Sequence, residues 1–162
     1  MTTHKMTWLA CALLLSACGA SSAPTEPLLS PEMQAALGTY SLVSVDGTSP
    51  PPVFIGKLLT ATTGADVYVT GATVILSQKN EMRFHVDLQL RSFDLGSGNQ
   101  TQTGQVFMLA NWTLSNGNLQ LTASAGDIAV SGATIAGNAL TLTAMSSAFG
   151  SRGTIRLILR PA

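Results

Sequence analysis

The chain is poor in the residues that carry most protein chemistry. It has two cysteines, at positions 11 and 18, and two histidines, at 4 and 85. Beyond Cys18 it therefore holds no thiol, no disulfide and no cysteine metal ligand. A structural zinc site, which takes four Cys or His ligands, is excluded there, and no metal is expected. Charged residues make up only 10% of the sequence, against about 25% in an ordinary domain. Eight Lys and Arg balance eight Asp and Glu without a cluster of either sign. That excludes a basic nucleic-acid surface and an acidic tail, so no nucleic-acid partner is expected. No apolar run approaches the roughly 20 residues of a spanning helix. Ser and Thr are plentiful, but no nucleophile motif accompanies them, and no Gly-rich phosphate loop precedes a helix. Neither an enzymatic activity nor a cofactor is expected. Ser, Thr, Asn and Gln supply the polar surface instead.

The N-terminus is the first informative stretch. Residues 1–5 are polar and include Lys5. Met6 to Leu15 is apolar apart from Thr7, and Ser16, Ala17, Cys18 and Gly19 are small. These are the charged, apolar and small-residue regions of a secretory signal. Leu15-Ser16-Ala17-Cys18 resembles the lipobox of bacterial lipoproteins. The resemblance implies cleavage before Cys18, a diacylglyceryl thioether on its sulfur and acylation, for example by palmitate, of the new N-terminus. One acyl chain anchors marginally, whereas two or more hold firmly. In such lipoproteins Asp after the Cys retains the protein at the inner membrane. Gly19 is not Asp, so the resemblance implies a lipid-anchored protein of the bacterial cell envelope, at the outer membrane and facing the periplasm. Residues 1–17 are then the signal peptide. Residues 18–30, with Pro24 and Pro27, are the lipidated Cys and a flexible tether. Residues 31–162 are one domain. Loss of Lys5 with the signal leaves seven basic and eight acidic residues, a net charge of −1.

Within that domain the pattern is β. Ser30-Pro31 is an N-cap followed by a proline suited to a first helical turn, and Gly38 is a stop, so a short helix is expected over 31–36. Strands follow at 38–45, 53–60 and 66–70, with Asp46-Gly47 as a turn and Pro50 to Pro52 as a loop or strand edge. Met82, Phe84, Val86, Leu88 and Leu90 alternate with Arg83, His85, Asp87, Gln89 and Arg91. That period of two marks a half-buried strand. Asn116-Gly117 favours a two-residue hairpin. It sets Leu114 opposite Leu119, Trp112 opposite Leu121 and Ala110 opposite Ala123. Gly137-Asn138 likewise sets Ile135 opposite Leu140 and Ala133 opposite Leu142. A three-residue turn near Lys79-Asn80-Glu81 would set Leu76 opposite Phe84, with Asn80 or Glu81 forming the bulge. A bulge at Ser131-Gly132 reconciles Ile128 and Val130 with Ala133 and Ile135. The last strand, 154–160, places Ile155, Leu157 and Leu159 on one side and Arg156 and Arg160 on the other. The fold class expected is all-β: an antiparallel up-and-down meander closing into an eight- or nine-stranded barrel, with a β-sandwich as the alternative.

Several segments resemble the lipocalin-like domains of bacterial lipoproteins over residues 38–160. Gly38-Thr39-Tyr40 is similar to their opening Gly-x-Trp motif, with Tyr in place of Trp. The 71–76 strand, the 137–142 hairpin and the Arg-containing last strand fit the same rhythm. The resemblance implies a small lipocalin-like barrel that holds an apolar ligand, with Tyr40 packed beneath Arg156 or Arg160. It carries over no catalytic residue.

Two functions follow as expectations. In the first, the barrel binds an apolar small molecule or lipid, in a cavity lined by Phe84, Leu88, Met108, Trp112 and Leu121. Ala110, Ala123, Ala133 and Ala144 would leave room for it. In the second, the barrel is filled and serves as a protein-interaction, structural or inhibitory module of the envelope. It would then work through loops 46–53 and 95–104, with another envelope protein as partner. His85 shares a strand face with Arg83, Asp87 and Arg91, which reads as a solvated outer wall.

Overall fold

A computed structural model describes residues 29–49, 51–59, 64–93 and 100–162. The segment expected to be a signal peptide, Cys18 and most of the expected tether lie outside the described residues. Helix α1 (Pro31–Ala35) precedes β1 (Gly38–Val45), β2 (Val53–Leu59), β3 (Gly64–Leu76), β4 (Glu81–Phe93) and β5 (Gln100–Ser115). Then come β6 (Asn118–Gly126), β7 (Ala129–Ala136), β8 (Ala139–Met145), a short 3-10 helix (Ser147–Arg152) and β9 (Thr154–Pro161).

From β2 to β9 each strand pairs antiparallel with the next. The ring closes through β1, which pairs with β9 on one edge and with β3 on the other. The result is a closed barrel of eight strands with β2 as an extra strand outside the ring. The length of β3 makes this possible. Its first half, from Gly64 to Val69, pairs with β2, and its second half, from Thr73 to Leu76, pairs with β1. Between them a bulge at Thr70 interrupts the β4 ladder. The bulge shifts the parity of β3, so that Val67 and Val69 before it and Ala72 and Val74 after it all point inward. The runs expected at 66–70 and 71–76 are therefore one strand.

Turn chemistry sets most of the register. The ladders about Asn116-Gly117 and Gly137-Asn138 hold the five expected pairs, Leu114↔Leu119, Trp112↔Leu121, Ala110↔Ala123, Ile135↔Leu140 and Ala133↔Leu142. Asn116 and Gly117 both have positive φ, as a type I′ turn requires. Ser131 is the bulged residue of β7, between Val130↔Ala144 and Gly132↔Thr143. The β3–β4 turn differs from expectation. Leu76 opposes Met82 rather than Phe84, and Val74 opposes Phe84. Asn80, at φ 59, takes the left-handed position, which centres the turn earlier than expected. The slip is two residues, so every side chain keeps its face. The expected 31–36 helix ends at Ala35, with Ala36 as its cap.

One core fills the ring. Met82, Phe84, Val86, Leu88, Met108, Trp112, Leu140, Leu142, Leu157 and Leu159 are all buried in it. At about 1.5–3 kcal/mol for each large side chain, this burial is the main driving force.

Candidate functional site

The five residues expected to line a cavity sit on the inner wall. Phe84, Met108 and Trp112 are each 1% exposed, Leu88 is 3% exposed and Leu121 is half-buried. Phe84 opposes Met108 directly, and Trp112 opposes Leu121. The alanines expected to leave room are matched by larger neighbours. Ala110 opposes Met82, Ala133 opposes Leu142, and Ala144 lies between Val130 and Ile155. Alternating small and large residues across facing strands is how a small barrel fills with side chains. Ala123 departs from this pattern: it is exposed, because β6 and β7 share only the Asn118↔Thr134 pair and part beyond it.

Both ends of the ring are plugged. At one end Met33 of α1 and its cap Ala36 enter the core. Ser30 caps it by accepting from Met33 N–H at 3.2 Å. Glu32 ties it to the β5–β6 turn, accepting from Gly117 N–H at 2.7 Å and Asn116 N–H at 3.3 Å. Tyr40 is buried beneath, and its hydroxyl donates to Ala36 C=O at 2.9 Å. Burial pushes the Tyr40 hydroxyl pKa up from its ordinary value. No arginine covers Tyr40 as the resemblance implied: Arg156 and Arg160 are exposed on the outward parity of β9. Asp46 engages that strand instead, accepting from Arg156 N–H at 2.9 Å and from Arg152 at 3.0 Å. At the other end the 3-10 helix inserts Phe149, which is fully buried.

The outer wall holds the remaining features. The two best-formed depressions among the described residues, about 330 and 420 Å³, lie along it. Outward polar side chains dominate their lining, among them Lys79, Asn111 and Gln120 in the first and Asp87, Thr103 and Gln105 in the second. His85 stands in a cross-strand row with Thr73 and Phe107. Asp87 accepts from the Gln105 amide at 2.7 Å. Among the described residues no group of three or more His, Cys, Asp and Glu gathers around a common point. Phe107, Leu109 and Ile75 are apolar yet 39–43% exposed on this wall, with Arg83 between Ile75 and Leu109.

Of the loops expected to act, 46–53 is fastened by Asp46. Of the second, 95–104, residues 95–99 lie outside the described residues, and the remainder is not a loop. Gln100 to Gly104 belong to β5, paired with β4 from Ser92↔Gln100 onward. The lack of any apolar residue in Gln-Thr-Gln-Thr-Gly reads as a loop, but Thr is a good strand former and β4 supplies the ladder. The chain matches no protein-family model, no curated protein and no solved structure.

Proposed function

We propose that this chain is an envelope lipoprotein whose barrel is a binding module that works through its outer wall. The filling of the barrel supports this reading: its inner side chains form one core, and a helical plug closes each end. A ligand-sized space inside would require Trp112, Phe84 and Met108 to leave that core. The anchor follows from Leu15-Ser16-Ala17-Cys18, and the tether to residue 30 lets the wall face either the bilayer or a neighbouring protein. Metabolic labelling with an alkyne analogue of palmitate, followed by membrane fractionation, tests the anchor. The full chain should carry the label and sediment with membranes, and Cys18→Ala should lose both. Equilibration with fatty acids and fluorescent apolar probes tests the filled interior. The account expects no saturable uptake, and one probe bound per chain would restore the carrier reading.

A further inference from the structure

Among the described residues strand β5 has β4 on one edge from Gln100 to Asn111 and β6 on the other from Met108 to Ser115. β4 runs beside it from Gln100 to Asn111 without a bulge. β6 joins only from Met108↔Gly126 onward, and Asp127 N–H on Phe107 C=O, at 2.8 Å, closes that ladder. Among the described residues nothing pairs with the other edge of residues 100–105, and all six are exposed. Backbone direction alternates along a strand. Trp112 N–H points toward β4, to Asn80 C=O at 2.8 Å, whereas Phe107 C=O points away from it. Even positions therefore face β4. Thr101, Thr103 and Gln105 each turn an N–H and a C=O to the open side.

We propose that this edge pairs antiparallel with the same edge of a second copy, about a two-fold axis at Thr103. The free groups are self-complementary under that operation. Thr103 meets Thr103, Thr101 meets Gln105, and about six hydrogen bonds form with no group of the three residues left over. Cross-strand Thr pairs are favourable, and no residue from 100 to 107 is charged, so no like charges meet. Each row across the joint runs Asp87, Gln105, Thr101 of the second copy, Arg91 of the second copy, which places opposite charges at its ends. That attraction is screened at roughly three strand spacings, about 14 Å, so it favours the register more than the affinity.

Two further observations set this edge apart. Natural sheets blunt exposed edges with bulges, charges or a covering segment. The outer edge of β2 is covered by the 3-10 helix, through Lys57 N–H on Ser151 Oγ at 3.2 Å and Gly150 packed against Lys57 C=O. β6 and β7 part company with a bulge on each strand, at Ser124 and Ser131. Residues 100–105 carry neither a bulge nor a charge, and among the described residues no segment covers them. Gly104 is the second. A Cβ there would meet only Leu90 Cδ1, at 4.0 Å, so the monomer does not require glycine. Glycine within a strand often marks the close approach of another backbone, and here it lies opposite Gln102 of the second copy.

Sedimentation velocity of the full chain in mild detergent, over a range of concentrations, tests the pairing together with four variants. The wild type should pass from monomer to dimer. Thr103→Lys, which sets two cations face to face, should weaken the dimer by at least about tenfold while the melting curve stays in place. Gly104→Thr is a second variant that raises strand propensity, and it should weaken the dimer without destabilising the monomer. Thr103→Cys should give a disulfide-linked dimer on mild oxidation, since the paired Cα atoms would lie about 5.5 Å apart, within disulfide reach. Gln120→Cys should give no cross-linked dimer beyond what the wild type gives, whether or not Cys18 is acylated. A chain that stays monomeric at every concentration overturns the proposal, as does a dimer that Thr103→Lys leaves intact. A monomer whose edge instead protects an unrelated extended peptide also overturns it, in favour of a foreign partner. None of these outcomes depends on the lipid anchor.

Discussion

The two halves of β5 are one strand in two situations. From Val106 to Ser115 burial alternates strictly, β4 and then β6 pair with the chain and overlap at 108–111, and Val106, Met108, Ala110, Trp112 and Leu114 enter the core. From Gln100 to Gln105 every side chain is exposed, and β4 is the only neighbour among the described residues. The backbone is extended throughout. The difference lies in side chains and in what pairs with the second edge. The first situation makes a wall, the second a place where another strand can add.

The largest effect should come from breaking the wall. Phe84→Asp puts a carboxylate where no partner is available. The cost of several kcal/mol is comparable with the roughly 5–15 kcal/mol that holds a domain together. The variant should show no cooperative melt, and a normal one would contradict the placement of Phe84 inside. Trp112→Ala should cost about 3–5 kcal/mol in chemical denaturation. Trp112→Phe sharpens the point. The indole Nε1 is buried without a partner among the described residues, so removing it relieves a penalty of about 1–3 kcal/mol. The Phe variant should lose much less than the Ala variant; equal losses would mean that the indole N–H has found a partner.

A smaller effect is expected at the plugged base. Tyr40→Phe removes the hydrogen bond to Ala36 C=O and should cost about 1 kcal/mol. Its pH dependence has a definite sign. Because burial raises the Tyr40 pKa, the folded chain holds that proton more tightly than the unfolded chain. The associated stability is complete below the ordinary tyrosine value of 10.0 and is lost as pH rises through the higher folded value. Stability curves from pH 8 upward should therefore fall less steeply in Tyr40→Phe than in the wild type. The smallest effect belongs to the free half of β5. Thr101→Ala should change monomer stability by no more than about 0.5 kcal/mol. A loss of several times that would mean that the edge is already covered within one chain.

Much of the wall was legible in the residues. The alternation over 82–91 set the inner face of β4, and two Gly-containing turns set two registers with their side-chain pairs. The conflict in parity around Ser131 called for a bulge, which is present. Other features were not legible, for physical reasons. The β3–β4 turn depended on which of two polar residues took the left-handed conformation, and composition does not decide between Asn80 and Glu81. The closure of β1 onto β3 depended on a bulge at Thr70, where the neighbouring Gly71 reads equally as a break between two strands. The filling of the barrel was obscured because alanines at 110, 133 and 144 suggest space until their cross-strand neighbours are known. The polar run 100–104 lacked the apolar period that betrays a strand. It lies beyond the core, and among the described residues β4 is the one strand that pairs with it.

Amide hydrogen exchange along β5, measured by NMR at low and at high protein concentration, tests the contrast between its halves most directly. In dilute solution Trp112, Met108 and the even-numbered amides bonded to β4 should exchange slowly, while Thr101, Thr103 and Gln105 exchange at nearly the rate of free amides. At high concentration those three should become protected together, and Trp112 should not change. Equal, concentration-independent protection from Gln100 to Ser115, or rapid exchange at Trp112, would contradict the division of this strand into a closed wall and an open edge.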